Sequence, residues 1–209
     1  MQSNYKDALY QIISFLERLE KEKGIKYYLV GGILVNLYSD FRTTRDIDLA
    51  IDFNASLIDR YEYVNLLREN DFFPYQDWNS TKILAKENNL IQFLDKTESV
   101  RYDNHIIIHS SKSKFNKIGI ISLNQRQREK IFGIECWVAS KEDFILSKLV
   151  YGGWQDYSDA LGCWLRFNDE LNITYLEENS KFLGIEKELI LLMSGIDDPD
   201  EYFKKINRY

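Results

Sequence analysis

The chain has 209 residues, 44% hydrophobic and 14% aromatic, with a formal net charge of −6. That is enough apolar material for a core in one large or two small domains, and it excludes a disordered chain. The acidic balance argues against indiscriminate nucleic-acid binding, and no apolar run approaches the ~20 residues of a membrane span.

Met1-Gln-Ser-Asn-Tyr-Lys6 lacks the apolar core of a signal peptide. Cys136 and Cys163 are too far apart to suggest a disulfide framework or a metal motif, so the expected setting is the reducing cytoplasm. Residues 5–22 are predicted to be helical, with Leu9, Ile12, Ile13, Phe15, Leu16 and Leu19 on one face and Gly24 as the stop. Tyr28-Leu29-Val30 then forms a short strand, Gly31-Gly32 a tight turn, and Ile33, Leu34, Leu37 and Tyr38 recur at helical spacing. The next strand carries Asp46 and Asp48 two residues apart, so both carboxylates leave one face, with Arg42 and Thr44 continuing the alternation upstream. Adjacent acids repel and call for a cation. Oxygen ligands suit Mg²⁺ (or Mn²⁺), whose other positions go to water and substrate phosphates.

Glycine lets a phosphate approach the Gly31-Gly32 backbone, and the N–H groups opening the following helix favour an anion. A phosphate cradle and a metal platform within one strand–turn–helix–strand unit are the equipment of nucleotidyl transfer from a nucleoside triphosphate (NTP). The plainer alternative is a turn followed by a solvated strand face.

Ser56 and Asp59 are predicted to open a helix over 57–69. Lys82–Lys86 and Leu90–Leu94 are predicted as strands joined by a hairpin at Glu87-Asn-Asn89. Arg101–Ser110 is expected to be extended, which would put His105 and His109 about 13 Å apart on one face, as ordinary side chains rather than shared metal ligands. Residues 111–130 hold Lys112, Lys114, Lys117, Arg126, Arg128 and Lys130 against the single acid Glu129. They form either a solvated basic loop or a contact for an RNA backbone, with tRNA as one acceptor. Within and beyond this segment, Ile118–Leu123 and Ile131–Val138 are apolar runs expected at the sheet's edge and a connection.

Ser140-Lys-Glu-Asp143 is a capping box opening a helix. On that helix Lys148 shares the apolar side with Phe144 and Ile145, where it either snorkels to solvent or meets triphosphate oxygens. Asp156 and Asp159 follow a Gly152-Gly153 break; Asp156 either caps the next helix or joins Asp159 on an acidic face. Helical patterning continues to the C-terminus. The expected division is a core domain over 1–139 and a helical subdomain over 140–209.

Gly31-Gly32, thirteen residues, then Asp46-Ile-Asp48-Leu resembles the signature of the DNA polymerase beta-type nucleotidyltransferase superfamily. The fuller Arg42-x-Thr44-x-Asp46-x-Asp48 form resembles the branch that includes AbiEii-like abortive-infection toxins. The resemblance implies an α/β (α+β) fold, a mixed β-sheet flanked by helices with a C-terminal helical subdomain. It implies a Mg²⁺-dependent enzyme moving a nucleoside monophosphate from an NTP to an RNA or protein hydroxyl, in a toxin–antitoxin or phage-defence setting with a cognate antitoxin or partner protein. Asp46 and Asp48 would hold metal, and Gly31, Gly32, Arg42, Thr44, Lys148 and Asp159 the nucleotide, with Lys148 also catalytic. Relatives carry a third carboxylate on a later strand. Here the aligned residue is Gln92, and Asp95 would point the other way. That departure supports the alternative of a catalytically inactive nucleotide-binding or protein-binding relative.

Overall fold

The computed structural model describes residues 2–40 and 44–207. In chain order the elements are α1 (Gln2–Lys23), β1 (Lys26–Val30), α2 (Gly32–Tyr38), β2 (Asp46–Asp52), α3 (Arg60–Glu69), β3 (Phe73–Pro74), α4 (Trp78–Glu87), β4 (Leu90–Leu94) and β5 (Arg101–Ile106). They continue with α5 (Lys114–Gln125), β6 (Gln127–Ile131), β7 (Ile134–Val138), α6 (Lys141–Tyr151), α7 (Trp154–Phe167), α8 (Ile173–Leu183), α9 (Glu186–Leu192) and α10 (Pro199–Ile206). The chain forms two compact units. One comprises Met1–Ile33, Thr43–Ser110 and Arg126–Val138; the other comprises Leu34–Arg42, Ser111–Gln125 and Ala139–Tyr209. No described helix is long and apolar enough to cross a membrane.

The first unit holds the whole seven-stranded mixed sheet, in the order β3-β4-β5-β2-β1-β7-β6. β2 runs antiparallel to β1 and parallel to β5, while β4 closes antiparallel on β5. Period-2 alternation decides what each face carries. Ile47, Leu49, Ile51, Ile91, Phe93 and Tyr102 are buried on one side. Phe15 of α1 and Phe72 stack there with Phe93, Tyr102 and Tyr63 at centroid distances of 4.9–5.8 Å. The other side carries Asp46, Asp48, Arg101, Asp103, His105 and Gln92, so the polar chemistry of three neighbouring strands shares one face.

Three local expectations are corrected. Lys82–Lys86 is not a strand but part of α4, whose start is fixed by Asp77 accepting from the N–H groups of Asn79 and Ser80. Ile118–Leu123 is helical within α5, where Ile118 and Ser122 bury four residues apart and Leu123 lies beside Ser122. The helix expected from residue 57 begins at Arg60, since Asp59 caps it while Ser56 is held in its own turn to Ile58.

The second unit is built of helices. Ser140 caps α6 as expected, accepting from the Asp143 N–H at 3.1 Å. Asp143 is completely buried; one of its oxygens accepts from the Tyr175 hydroxyl at 2.8 Å and the other has no partner among the described residues. Burial pushes this carboxyl up to about 6, against the pull of Tyr175 and Ser140. A folded-state value above the unfolded one penalises the ionised form. The cost is full above pH about 6 and is relieved as pH falls toward the unfolded carboxyl value near 4. Asp143→Asn is therefore expected to stabilise the protein at pH 7.5 by about 1–3 kcal/mol, less the lost charge–dipole interaction at the helix start. Urea unfolding at pH 7.5 and pH 5 should show that advantage shrinking at the lower pH.

Candidate active site

The turn after β1 is set by its partner strand. Val30, the last residue of β1, lies opposite Asp48, so the chain must turn directly over that carboxylate. Gly31 does so at φ +67°, and a Cβ there would sit 2.2 Å from Asp48 Oδ2 and 2.8 Å from Asp48 Cβ. The glycine is thus required by the left-handed backbone and by the acid packed against it. The turn and the acid pair are one structure. Gly31→Ala is expected to cost about 2 kcal/mol or more, combining the αL penalty with displacement of Asp48, and thermal denaturation would measure it.

Just before β2, the Thr44 hydroxyl lies 3.1 Å from Asp46 Oδ1 and 3.2 Å from the Asp46 carbonyl, positioned to donate to both. The Tyr5 hydroxyl donates to the same carbonyl at 2.9 Å. β5 adds what sequence reasoning missed. Asp48 pairs in register with Asp103, which pairs in turn with Gln92 on β4. A third carboxylate therefore stands beside the first two, one strand nearer than the position where it was sought. Gln92 Nε2 donates to Asp103 Oδ1 at 3.0 Å, so the residue aligned with the family's acid supports one instead. Desolvation raises the Asp103 carboxyl above its ordinary value, with the Asp48 and Asp46 charges adding and Gln92 and Arg101 opposing. Arg101 Nη2 lies 2.7 Å from Asp46 Oδ2 and 2.9 Å from Asp103 Oδ2. His105 Nε2 is 3.9 Å from Asp48 Oδ1, while His109 is turned to Asp52 at 3.0 Å. The sequence signal for Asp103 is weak: Tyr102 and Ile106 are apolar, but Asn104 between Asp103 and His105 is polar and breaks the alternation.

The remaining residues singled out in the sequence have definite positions. Asp95 accepts from Thr97, Ser99 and Val100 in the turn after β4. Those hydrogen bonds hold its carboxyl below the ordinary value despite the opposing effect of burial. Arg42 lies outside the described residues. In the helical unit, Lys148 Nζ is 2.8 Å from both Asp156 Oδ1 and Asp159 Oδ2. Lys148 and Asp159 are buried, so the lysine does not snorkel to solvent. Asp156 does not cap α7, whose N-cap is Gly153. The basic segment is divided between the units. Arg126 and Arg128 are held by Glu20 and Glu17 and flank the Trp137 ring at 4.3 and 4.7 Å, while Lys117 lies over the exposed Phe182 ring at 4.6 Å.

Among the described residues no three His, Cys, Asp or Glu side chains form a metal-holding group. Magnesium does not require one. It takes one or two carboxylates, keeps waters and completes its shell with substrate phosphates. Asp46 and Asp48 could supply such a hard-oxygen pair, a donor set of the type the ion takes.

Among solved structures, the chain is similar to an antigenic nucleotidyltransferase-like protein from Paracoccidioides brasiliensis, at 17% identity over 86% of this chain and 94% of that one, with a TM-score of 0.41. No curated protein matches it. The family model described as "Nucleotidyl transferase of unknown function (DUF2204)" matches residues 6–182, most of the sheet unit and the helices through α7 and nearly all of α8. By that match the chain belongs to this nucleotidyl transferase family.

Proposed function

We propose that the protein is a Mg²⁺-dependent enzyme (Mn²⁺ serving as well) that transfers a nucleoside monophosphate from an NTP to a hydroxyl of RNA, with tRNA the first candidate, or of a protein. The observation that carries this reading is the placement of Asp46, Asp48 and Asp103 on neighbouring ladder positions of one sheet face, with the Gly31 backbone against Asp48. Asp46 and Asp48 would hold the metal, which when bound supplies neutralising charge for the triphosphate. The Gly31-Gly32 turn would meet the phosphate oxygens through its backbone. Asp103 accepts the proton of the attacking hydroxyl as its oxygen bonds to the α-phosphorus; the bond to the β-phosphate oxygen breaks and pyrophosphate departs.

Thr44 positions Asp46 in this scheme. Lys148 and Asp159 stay in the reading as nucleotide contacts only as the resemblance implies them, since the ammonium is held by Asp156 and Asp159. The acceptor's backbone would be met by Lys112, Lys114, Lys117 and Lys130, because Arg126 and Arg128 are already neutralised by α1. The resemblance to AbiEii-like toxins supports a cytoplasmic role in toxin–antitoxin or phage-defence chemistry with a protein partner. The inactive alternative rested on Gln92 standing where a base was sought, and Asp103 beside it removes that motive.

The test is incubation with Mg²⁺ and each α-labelled NTP in the presence of total RNA and total protein. Label should pass to one of the two fractions from at least one nucleotide. Failure to label either fraction with any of the four would overturn the proposal.

A further inference from the structure

Arg101 is placed oddly for a residue of a metal site. One guanidinium nitrogen bridges Asp46 and Asp103, at 2.7 and 2.9 Å. Its Nε is buried with no partner among the described residues. Its side chain is 34% exposed, and its Cζ lies 5.8 Å from the centroid of the half-exposed Tyr75 ring. The bridge therefore satisfies two carboxylates while leaving one of the arginine's own donors unmet. The Tyr75 ring is already within cation–π range of the guanidinium and would keep it accompanied off the carboxylate.

A cation already holds Asp46, one of the two acids a metal would use, together with the neighbouring Asp103. Two cations cannot share the same carboxylate oxygens without strong repulsion at these distances. We propose that Arg101 is a resident counter-cation: it holds Asp46 and Asp103 in place without metal and competes with the divalent ion for Asp46. Metal binding is then an exchange, in which the guanidinium moves off Asp46 toward Tyr75 while Gln92 keeps Asp103 fixed through its 3.0 Å hydrogen bond. The consequence is a site of deliberately weak metal affinity, completed only when substrate phosphates add their oxygens. This inference rests on the metal reading proposed above.

The experiment titrates Mn²⁺, without nucleotide, into the wild type, Arg101→Met, Arg101→Lys and Asp48→Asn, following free Mn²⁺ by electron paramagnetic resonance. Melting temperatures are recorded in chelator and in saturating Mn²⁺. Arg101→Met should bind Mn²⁺ at least ten-fold more tightly than the wild type, with Arg101→Lys in between. Its melting temperature should be lower in chelator and should rise more with Mn²⁺ than the wild type's does. Arg101→Lys retains a charge and keeps the test open if Arg101→Met does not fold. Affinity equal to or weaker than wild type in both arginine variants would overturn the competition, provided Asp48→Asn still loses Mn²⁺. Should Asp48→Asn bind Mn²⁺ like the wild type, the metal reading itself fails and takes this inference with it.

Discussion

Asp48→Asn is expected to lower nucleotidyl transfer by roughly 10³-fold or more, a loss of about 4 kcal/mol of transition-state stabilisation. The substitution conserves volume, so the side chain can still lie against Gly31, and its His105 neighbour is 3.9 Å away, too far for a strong bond. Stability should change by less than about 1 kcal/mol, and urea unfolding beside the labelling assay would separate a chemical loss from a folding one. What disappears is one of the two anionic ligands. An amide oxygen carries no net charge and cannot offset a divalent cation as a carboxylate does. In the same assay Asp103→Asn removes a proton acceptor, with an expected loss of 10²–10⁴-fold. Transfer by Asp48→Asn at the wild-type rate would mean that the acid pair is only a polar strand face.

The readability of this site in the sequence follows the range of the contacts that build it. Gly31, Asp46 and Asp48 lie within one antiparallel pair, and their relation is fixed by a turn and a period-2 alternation that any reader of the chain can count. Asp103 is brought in by parallel pairing of β2 with β5 across an intervening α3, β3, α4 and β4. No local pattern states which strand will lie next to β2. Leu90–Leu94 offers the hydrophobic context that the resemblance implies for the third acid, although β4 is one strand farther out. The α4 and α5 misassignments have a related origin. Short runs such as Ile83-Leu84-Ala85 fit a strand or a helix equally well, and the Asp77 cap that decides the matter lies several residues upstream. Lys148 was legible as a lysine on an apolar face, but its two partners come from the next helix, and only the fold shows the ammonium already occupied.

That occupation makes Lys148→Met the variant with the largest expected effect on stability, about 3–5 kcal/mol. The ammonium lies 2.8 Å from each of two carboxylates, and the Asp159 side chain is only 6% exposed. Removing the lysine takes the ammonium away from the buried Asp159 carboxylate, whereas Asp156, 28% exposed, can turn to water at little cost. Exchanging the buried pair for apolar groups is often neutral, so Lys148→Met combined with Asp159→Leu should recover most of the stability in urea unfolding. A cost below about 1 kcal/mol for the single variant would show that the ion pair does not hold α6 to α7. The double variant also divides the two roles offered for this lysine. If its work is to join the helices, stability and transfer return together. If the ammonium meets the departing pyrophosphate, or Asp159 the nucleotide, stability returns and transfer does not, because apolar side chains replace neither contact.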